Sequence, residues 1–170
     1  PPTIPARPKN HPRISQESQF LPVAARAVGV TAACSGSLDA NVVLRLLLND
    51  IPDQHAAAVA LVEQAEAPFV VPQFAIVEVI FALCRHYEFS RAAAAEAIEG
   101  LMSLTQITCD RVMVRRALQL LTEHPKLSFE DCCLATQAEL SEAVPLWTFD
   151  KKLAGQAPSA RLVPIYRGRA

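Results

Sequence analysis

The chain lacks most of the signals that would assign it to a familiar enzyme class. Only five of its 170 residues are glycine. No G-x-G-x-x-G and no G-x-x-x-x-G-K-[S/T] occurs, so dinucleotide and P-loop phosphate cradles have no support. A G-x-S-x-G elbow is missing as well, which removes the usual setting of a serine nucleophile. His11, His55, His86 and His124 are scattered without metal-ligand spacing. The five cysteines are an odd number and include no C-x-x-C; Cys132 and Cys133 are adjacent. They read as reduced thiols of a cytosolic protein, packed as small hydrophobes, rather than as disulfides or zinc ligands. No apolar run approaches the roughly 18 residues of a membrane span. The richest stretch, Phe74 to Cys84, is interrupted by Glu78. Trp147, Tyr87 and Tyr166 are too few and too dispersed to announce a base-stacking platform. Charge of one sign is also missing overall: 16 Lys and Arg stand against 17 Asp and Glu, a formal net charge of −1. That excludes a strongly basic nucleic-acid coat and an acidic tail protein.

What is present is a 51% hydrophobic chain of one-domain length. Charge and proline are unevenly distributed along it. Residues 1–35 hold six of the 13 prolines and a balance of +3, residues 36–153 a balance of −7, and residues 154–170 a balance of +3. Residues 1–35 are expected to be a Pro-rich, disordered extension, and 36–170 the folded domain. Leu21 to Cys34 has a faint likeness to a lipoprotein signal, but Arg26 splits its apolar stretch and the reading is rejected. Val30 is an alternative start position, which would make the preceding residues an upstream extension.

From Ser35 the pattern alternates between short apolar runs and helical periods. A strand ending at Ser37–Leu38 is followed by a helix over 41–48. A second helix spans 53–67, capped by Asp53. A strand over 69–71 precedes a helix over 74–86. Ser90 caps a helix to about 103, and 106–109 form a strand. Asp110 caps a helix over 111–123, and Ser128 one to about 140. A strand over 145–149, a short helix from Asp150 and a strand over 162–165 complete the chain. Strands alternating with helices predict an α/β fold with a parallel sheet covered by helices.

Four acids stand apart from the polar helix faces. Glu78 sits in FAIVEVIFAL, apolar on every side, and is expected to be partly desolvated. Its bland reading is a buried salt bridge to Arg45 or Arg85. Asp39 and Asp150 each follow a strand and open a helix, and each would make a good N-cap. Asp131 fits the S-x-x-D capping pattern with Ser128. Ligand sites of parallel sheets form beyond the carboxyl ends of the strands, where Asp39 and Asp150 are expected. Helices running back from that edge could bring Glu78 and Asp131 to them. Four close carboxylates repel unless cations lie between them, and hard oxygen donors suit Mg²⁺ or Mn²⁺. Metals held in this way activate water for phosphodiester hydrolysis.

The order and setting of these acids resemble the PIN domain family, and within it the VapC-type toxins of bacterial toxin–antitoxin pairs. The matching pieces are LDANVVLRLLL with Asp39 and Asn41, VPQFAIVEVIFAL with Glu78, LSFEDCCLATQAEL with Asp131, and PLWTFDKKL with Thr148 and Asp150. They cover residues 37–153. The resemblance implies a three-layer α/β/α fold with a mainly parallel central sheet. It implies a Mg²⁺-dependent endoribonuclease, with Asp39, Glu78, Asp131 and Asp150 as the acidic, metal-holding set. Asn41 and Thr148 match supporting positions that hydrogen-bond the acids. A VapB-like antitoxin and a homodimer are also implied, with an RNA substrate and a cytoplasmic location. Arg45, Arg85, Lys151 and Lys152 are candidates for holding phosphates outside the acidic site. Two other readings stay open: a catalytically silent PIN-like protein-binding module, and a PIN nuclease of RNA processing with no antitoxin.

Overall fold

A computed structural model of the protein describes residues 34–165. The expected Pro-rich extension therefore lies outside the described residues, apart from Cys34 and Ser35. Ser35 is already tied to the domain: its N–H donates to the Pro68 carbonyl at 3.1 Å, and its hydroxyl donates to the Ala67 carbonyl at 2.7 Å.

Among the described residues, five short strands and seven helices follow one another: β1 (Gly36–Ser37), α1 (Ala40–Leu47), α2 (Pro52–Glu63), β2 (Phe69–Val70), α3 (Gln73–Arg85), α4 (Arg91–Ser103), β3 (Ile107–Thr108), α5 (Arg111–Glu123), α6 (Phe129–Leu140), β4 (Leu146–Thr148), α7 (Lys151–Gln156) and β5 (Ala160–Leu162). Every strand pairing is parallel, and the helices cover the strands in an α/β/α arrangement. The strands form two hydrogen-bonded sheets. One has the order β1-β2-β3, and the other pairs β4 with β5. Because the strands are parallel, each three-layer edge where a strand ends is also where the next helix begins.

Two elements, α2 and β5, differ most from the sequence reading. Helix α2 is capped by the backbone of Ile51, not by Asp53, and no side chain caps it. Pro52 takes the first helical position because it has no N–H to satisfy, which moves Asp53 into the first turn. The helix stops at Glu63. Strand β5 begins two residues earlier than expected. The Ser159 carbonyl accepts the Leu146 N–H at 2.8 Å, so pairing starts there, and Pro164 offers no donor beyond Val163.

The core is continuous. Val43 of α1, Val79 and Leu83 of α3, Ala94 and Ile98 of α4, Ala117 of α5, Leu127, and Cys132 and Ala135 of α6 are all fully shielded from solvent. Gly36 opens β1 with φ +134°, a backbone conformation that a residue with a Cβ rarely adopts. All five cysteines are unbridged; Cys132 and Cys133 are buried as expected, Cys84 and Cys109 are half-buried, and Cys34, expected to pack as a small hydrophobe, is exposed because it stands ahead of β1. Burial pushes the Cys132 thiol up to about 12 and the Cys133 thiol up to about 11, so both stay protonated packing groups. Among the described residues no helix is long and apolar enough to cross a membrane.

Candidate metal and nucleic-acid site

Three of the four acids occupy the starts of helices. Asp39 is the N-cap of α1, and its Oδ1 accepts the Val42 N–H at 2.9 Å. Asp150 is the N-cap of α7, and its Oδ1 accepts the Lys152 N–H at 2.6 Å and the Leu153 N–H at 3.4 Å. Asp131 lies one turn into α6 and completes a capping box with Ser128. The Asp131 N–H donates to the Ser128 hydroxyl at 3.1 Å, and the Ser128 N–H donates to Asp131 Oδ2 at 3.1 Å. Each aspartate thus has one oxygen fixed by its own helix N-terminus. Its second oxygen makes no hydrogen bond among the described residues. The helix dipole favours a negative charge at all three positions.

Glu78 differs from expectation. It is exposed, and among the described residues it forms no ion pair with Arg45, Arg85 or any other base. The reason lies in the helix period. Ala75, Ile76, Val79, Ile80, Ala82 and Leu83 face inward, while Phe74, Glu78, Phe81 and Arg85 share the outward stripe at spacings of three and four. The sequence around Glu78 looked apolar on every side because two phenylalanines of that stripe face solvent.

The elements carrying the acids are linked by packing. Helix α1 packs on α3, α3 on α6, and α6 on β4, which leads directly to Asp150. The acid-bearing segments therefore form a series of packed neighbours. Their carboxylates are not drawn into one cluster: among the described residues, no three His, Cys, Asp or Glu side chains form a group that could hold a metal ion. Each aspartate is instead turned back to its own helix start. The donor chemistry nonetheless fits a hard divalent cation, because the set is entirely carboxylate oxygen and each aspartate keeps one oxygen unengaged.

The supporting residues divide. The Thr148 hydroxyl accepts the Asp150 N–H at 2.9 Å and so fixes the turn that delivers Asp150. This bond is to the backbone of the acid, not to its carboxylate. Asn41 is exposed at the start of α1, lining a hollow of about 280 Å³ with Arg45, Gln54 and Leu61, and its side chain makes no hydrogen bond among the described residues.

The basic residues divide too. Arg45 is committed elsewhere: its guanidinium pairs with Asp50 Oδ1, while the Tyr87 hydroxyl donates to Asp50 Oδ2 at 2.6 Å. His55 Nδ1 lies 2.7 Å from the Arg45 carbonyl. This network ties α1, the turn after it, α2 and the end of α3. It removes Arg45 from the phosphate-holding candidates. Nothing local signals it, since the residues it bonds directly lie up to 37 positions apart. Arg85, Lys151 and Lys152 are exposed and have no acidic partner among the described residues.

A half-open cleft of about 590 Å³ lies between α3, the start of α4 and the start of α6, lined by Ile80, Phe81, Arg85, Phe89, Phe129 and Glu130 among others. None of the four acids lines it, so the acidic chemistry belongs to the helix starts and not to this cleft. Residues 37–157 match the family model for the PIN domain. No curated protein matches the chain at a significant level.

Proposed function

Since the chain belongs to the PIN domain family, we propose that it is a Mg²⁺-dependent endoribonuclease of VapC type, with Mn²⁺ able to replace Mg²⁺. In this reading it cleaves RNA phosphodiester bonds in the cytoplasm as a homodimer, and a VapB-like antitoxin holds it inactive. The observation that carries the nuclease reading is the recurring aspartate geometry. Asp39, Asp131 and Asp150 each have one oxygen clamped by a helix start and one oxygen left over.

The clamped oxygen limits the rotation of each carboxylate, and the remaining oxygen is the one that would hold the metal. Glu78 would complete the set from the outward stripe of α3. Thr148 fixes the approach of Asp150, and Asn41, two residues after Asp39, would be a second supporting group. A bound Mg²⁺ supplies the positive charge that polarises a phosphodiester and eases ionisation of water. Arg85, Lys151 and Lys152 would hold neighbouring phosphates and set the strand's register without reading bases.

A second reading, a silent PIN module that binds protein, has one observation in its favour. Helix capping alone accounts for Asp39, Asp131 and Asp150. Substitution by asparagine separates the two readings, because asparagine caps a helix about as well as aspartate but binds a hard cation poorly. Asp39→Asn and Asp131→Asn are expected to melt near the parent temperature and to lose Mg²⁺-dependent RNA cleavage. The parent should also gain thermal stability in millimolar Mg²⁺ or Mn²⁺, as binding to the native state requires. Full cleavage by both variants would overturn the site; absence of both cleavage and a metal-induced shift in the parent would favour the silent module.

A further inference from the structure

The sequence contains one tryptophan, and it is not in the core. Trp147 of β4 is 57% exposed, and Phe149, two residues on, is 72% exposed. Phe149 is the first residue beyond β4, and extended chain turns alternate residues to the same side, with positions two apart separated by roughly 7 Å. Thr148 and Leu146, the intervening and preceding residues, are less exposed. The register of the sheet sets Trp147 beside Arg161 and Thr148 beside Leu162, both exposed residues of β5. Large aromatics on a sheet rim are costly to leave in water without a partner.

Three lysines gather beside this rim, with one acid, Asp150, between them and the aromatics. Asp150 follows Phe149 directly, and α7 then opens with Lys151 and Lys152. Those two lysines and Lys126 line a hollow of about 280 Å³ with Gly155 and Gln156, and no acid lines it. None of the three lysines has an acidic partner among the described residues, although residues 36–153 carry a balance of −7. Unneutralised cations gathered in an otherwise acidic domain fit a polyanion. Exposed aromatic faces next to them fit bases that are free to stack, which excludes the closed stack of a duplex.

We propose that Trp147 and Phe149 form a stacking platform for single-stranded RNA, with Lys126, Lys151 and Lys152 receiving its phosphates, at the approach to Asp150. The platform rests on the reading of Asp150 as part of a nuclease site. In it, stacking and phosphate contacts hold the strand while Asp150 stands at the junction of the two. Trp147 is a positioning residue: it sets where the strand lies.

Because Trp147 is the only tryptophan, its fluorescence reports the platform directly. The probe is a twelve-nucleotide oligoadenylate, titrated into the full chain in chelator so that no cleavage occurs. Its binding is followed in parallel by the anisotropy of a dye on the RNA. Quenching of Trp147 is expected to track the anisotropy, and a duplex of the same length should quench little. Trp147→Ala and Phe149→Ala should each weaken binding by roughly tenfold or more, and Trp147→Phe should restore most of it. Lys151→Ala should reduce the salt dependence by about one phosphate contact. RNA binding without quenching, equal quenching by duplex, or undiminished binding by Trp147→Ala would overturn the platform. So would quenching that grows with protein concentration in the absence of RNA, because that outcome makes the rim an interface between copies. Loss of cleavage in Asp39→Asn alongside any of these results leaves the nuclease reading intact while the platform fails. Quenching by oligoadenylate together with full cleavage by Asp39→Asn and Asp131→Asn does the reverse.

Discussion

The two parallel sheets of this domain have the same local plan and opposite surroundings. In the β1-β2-β3 sheet, the strands and their exits are lined by Leu38, Phe69, Val71 and Ile107, all buried. In the β4–β5 sheet, Trp147, Arg161 and Leu162 face solvent, and Ala160 is the one strand residue fully shielded. Both sheets deliver an acid at a strand end: Asp39 after β1 and Asp150 after β4. A parallel strand leading into a helix therefore does not by itself decide whether its surroundings are core or surface. The first sheet is sealed within the core, with α4 packed on β3, while the second keeps an open aromatic rim. The sealed sheet is where stability should reside, and the open one is where a ligand can reach.

The contrast can be broken most decisively by truncating one large side chain in each region. Leu83 of α3 is fully buried against the first sheet's core. Leu83→Ala should cost about 2–5 kcal/mol of unfolding free energy, measured by urea denaturation. Trp147→Ala should stay within about 0.5 kcal/mol of the parent, as exposed positions do. Comparable losses in the two variants would mean that the second sheet is packed after all.

Much of this division was legible in the sequence, and the failures have physical causes. Helices α4 and α5 were readable to within a residue because Ser90 and Asp110 are side-chain caps that stand just before an apolar period; the structure has both accepting the expected backbone N–H. The cap of α2 was misread because Pro52 competes with Asp53 for the same turn, and a missing donor is satisfied by geometry alone. Glu78 was misplaced because pattern reading assigns phenylalanine to the core, whereas Phe74 is 86% exposed and Phe81 half exposed. For the same reason the aromatic rim is not evident from sequence: three dispersed aromatics form no cluster there, and Phe149 only acquires meaning once the fold leaves both it and Trp147 exposed. The Arg45–Asp50–Tyr87 network was invisible because nothing local requires an arginine in the middle of α1 to seek a turn and the end of α3. The family match at 37–157 agrees with the span over which the acid motifs were found.

A smaller test concerns α6, which packs on α3 of the sealed region and on β4 of the open one. Its start is held by the reciprocal bonds of Ser128 and Asp131. Ser128→Ala should cost about 0.5–2 kcal/mol in the same denaturation experiment. Ser128→Ala combined with Asp131→Ala should cost less than the sum of the two singles, since either change disrupts the shared box. If the double-mutant cycle were additive, the two hydrogen bonds of the box would act independently.

The least effect is expected from the Arg45–Asp50–Tyr87 network, whose Arg45 side chain is 14% and Asp50 side chain 33% accessible, and its signature is a pH dependence. The Tyr87 hydroxyl and then the Arg45 guanidinium hold the Asp50 carboxyl below its ordinary value. Asp50 in turn raises Arg45, which therefore stays charged throughout the range in which the protein folds. A depressed carboxyl stabilises the folded chain above its unfolded value near 4, and that contribution fades as pH falls through the lower folded value. The parent should therefore melt above Asp50→Asn at neutral pH, by a margin that is flat down to about pH 5 and narrows below about pH 4. Tyr87→Phe should lie between the two, because it removes the first of the two donors and leaves the ion pair. Melting curves of the three proteins from pH 7 to pH 3 read this directly. A margin that stayed constant to pH 3 would mean that Asp50 contributes by shape and not by charge. The network would then belong with the uncharged packing of the sealed region.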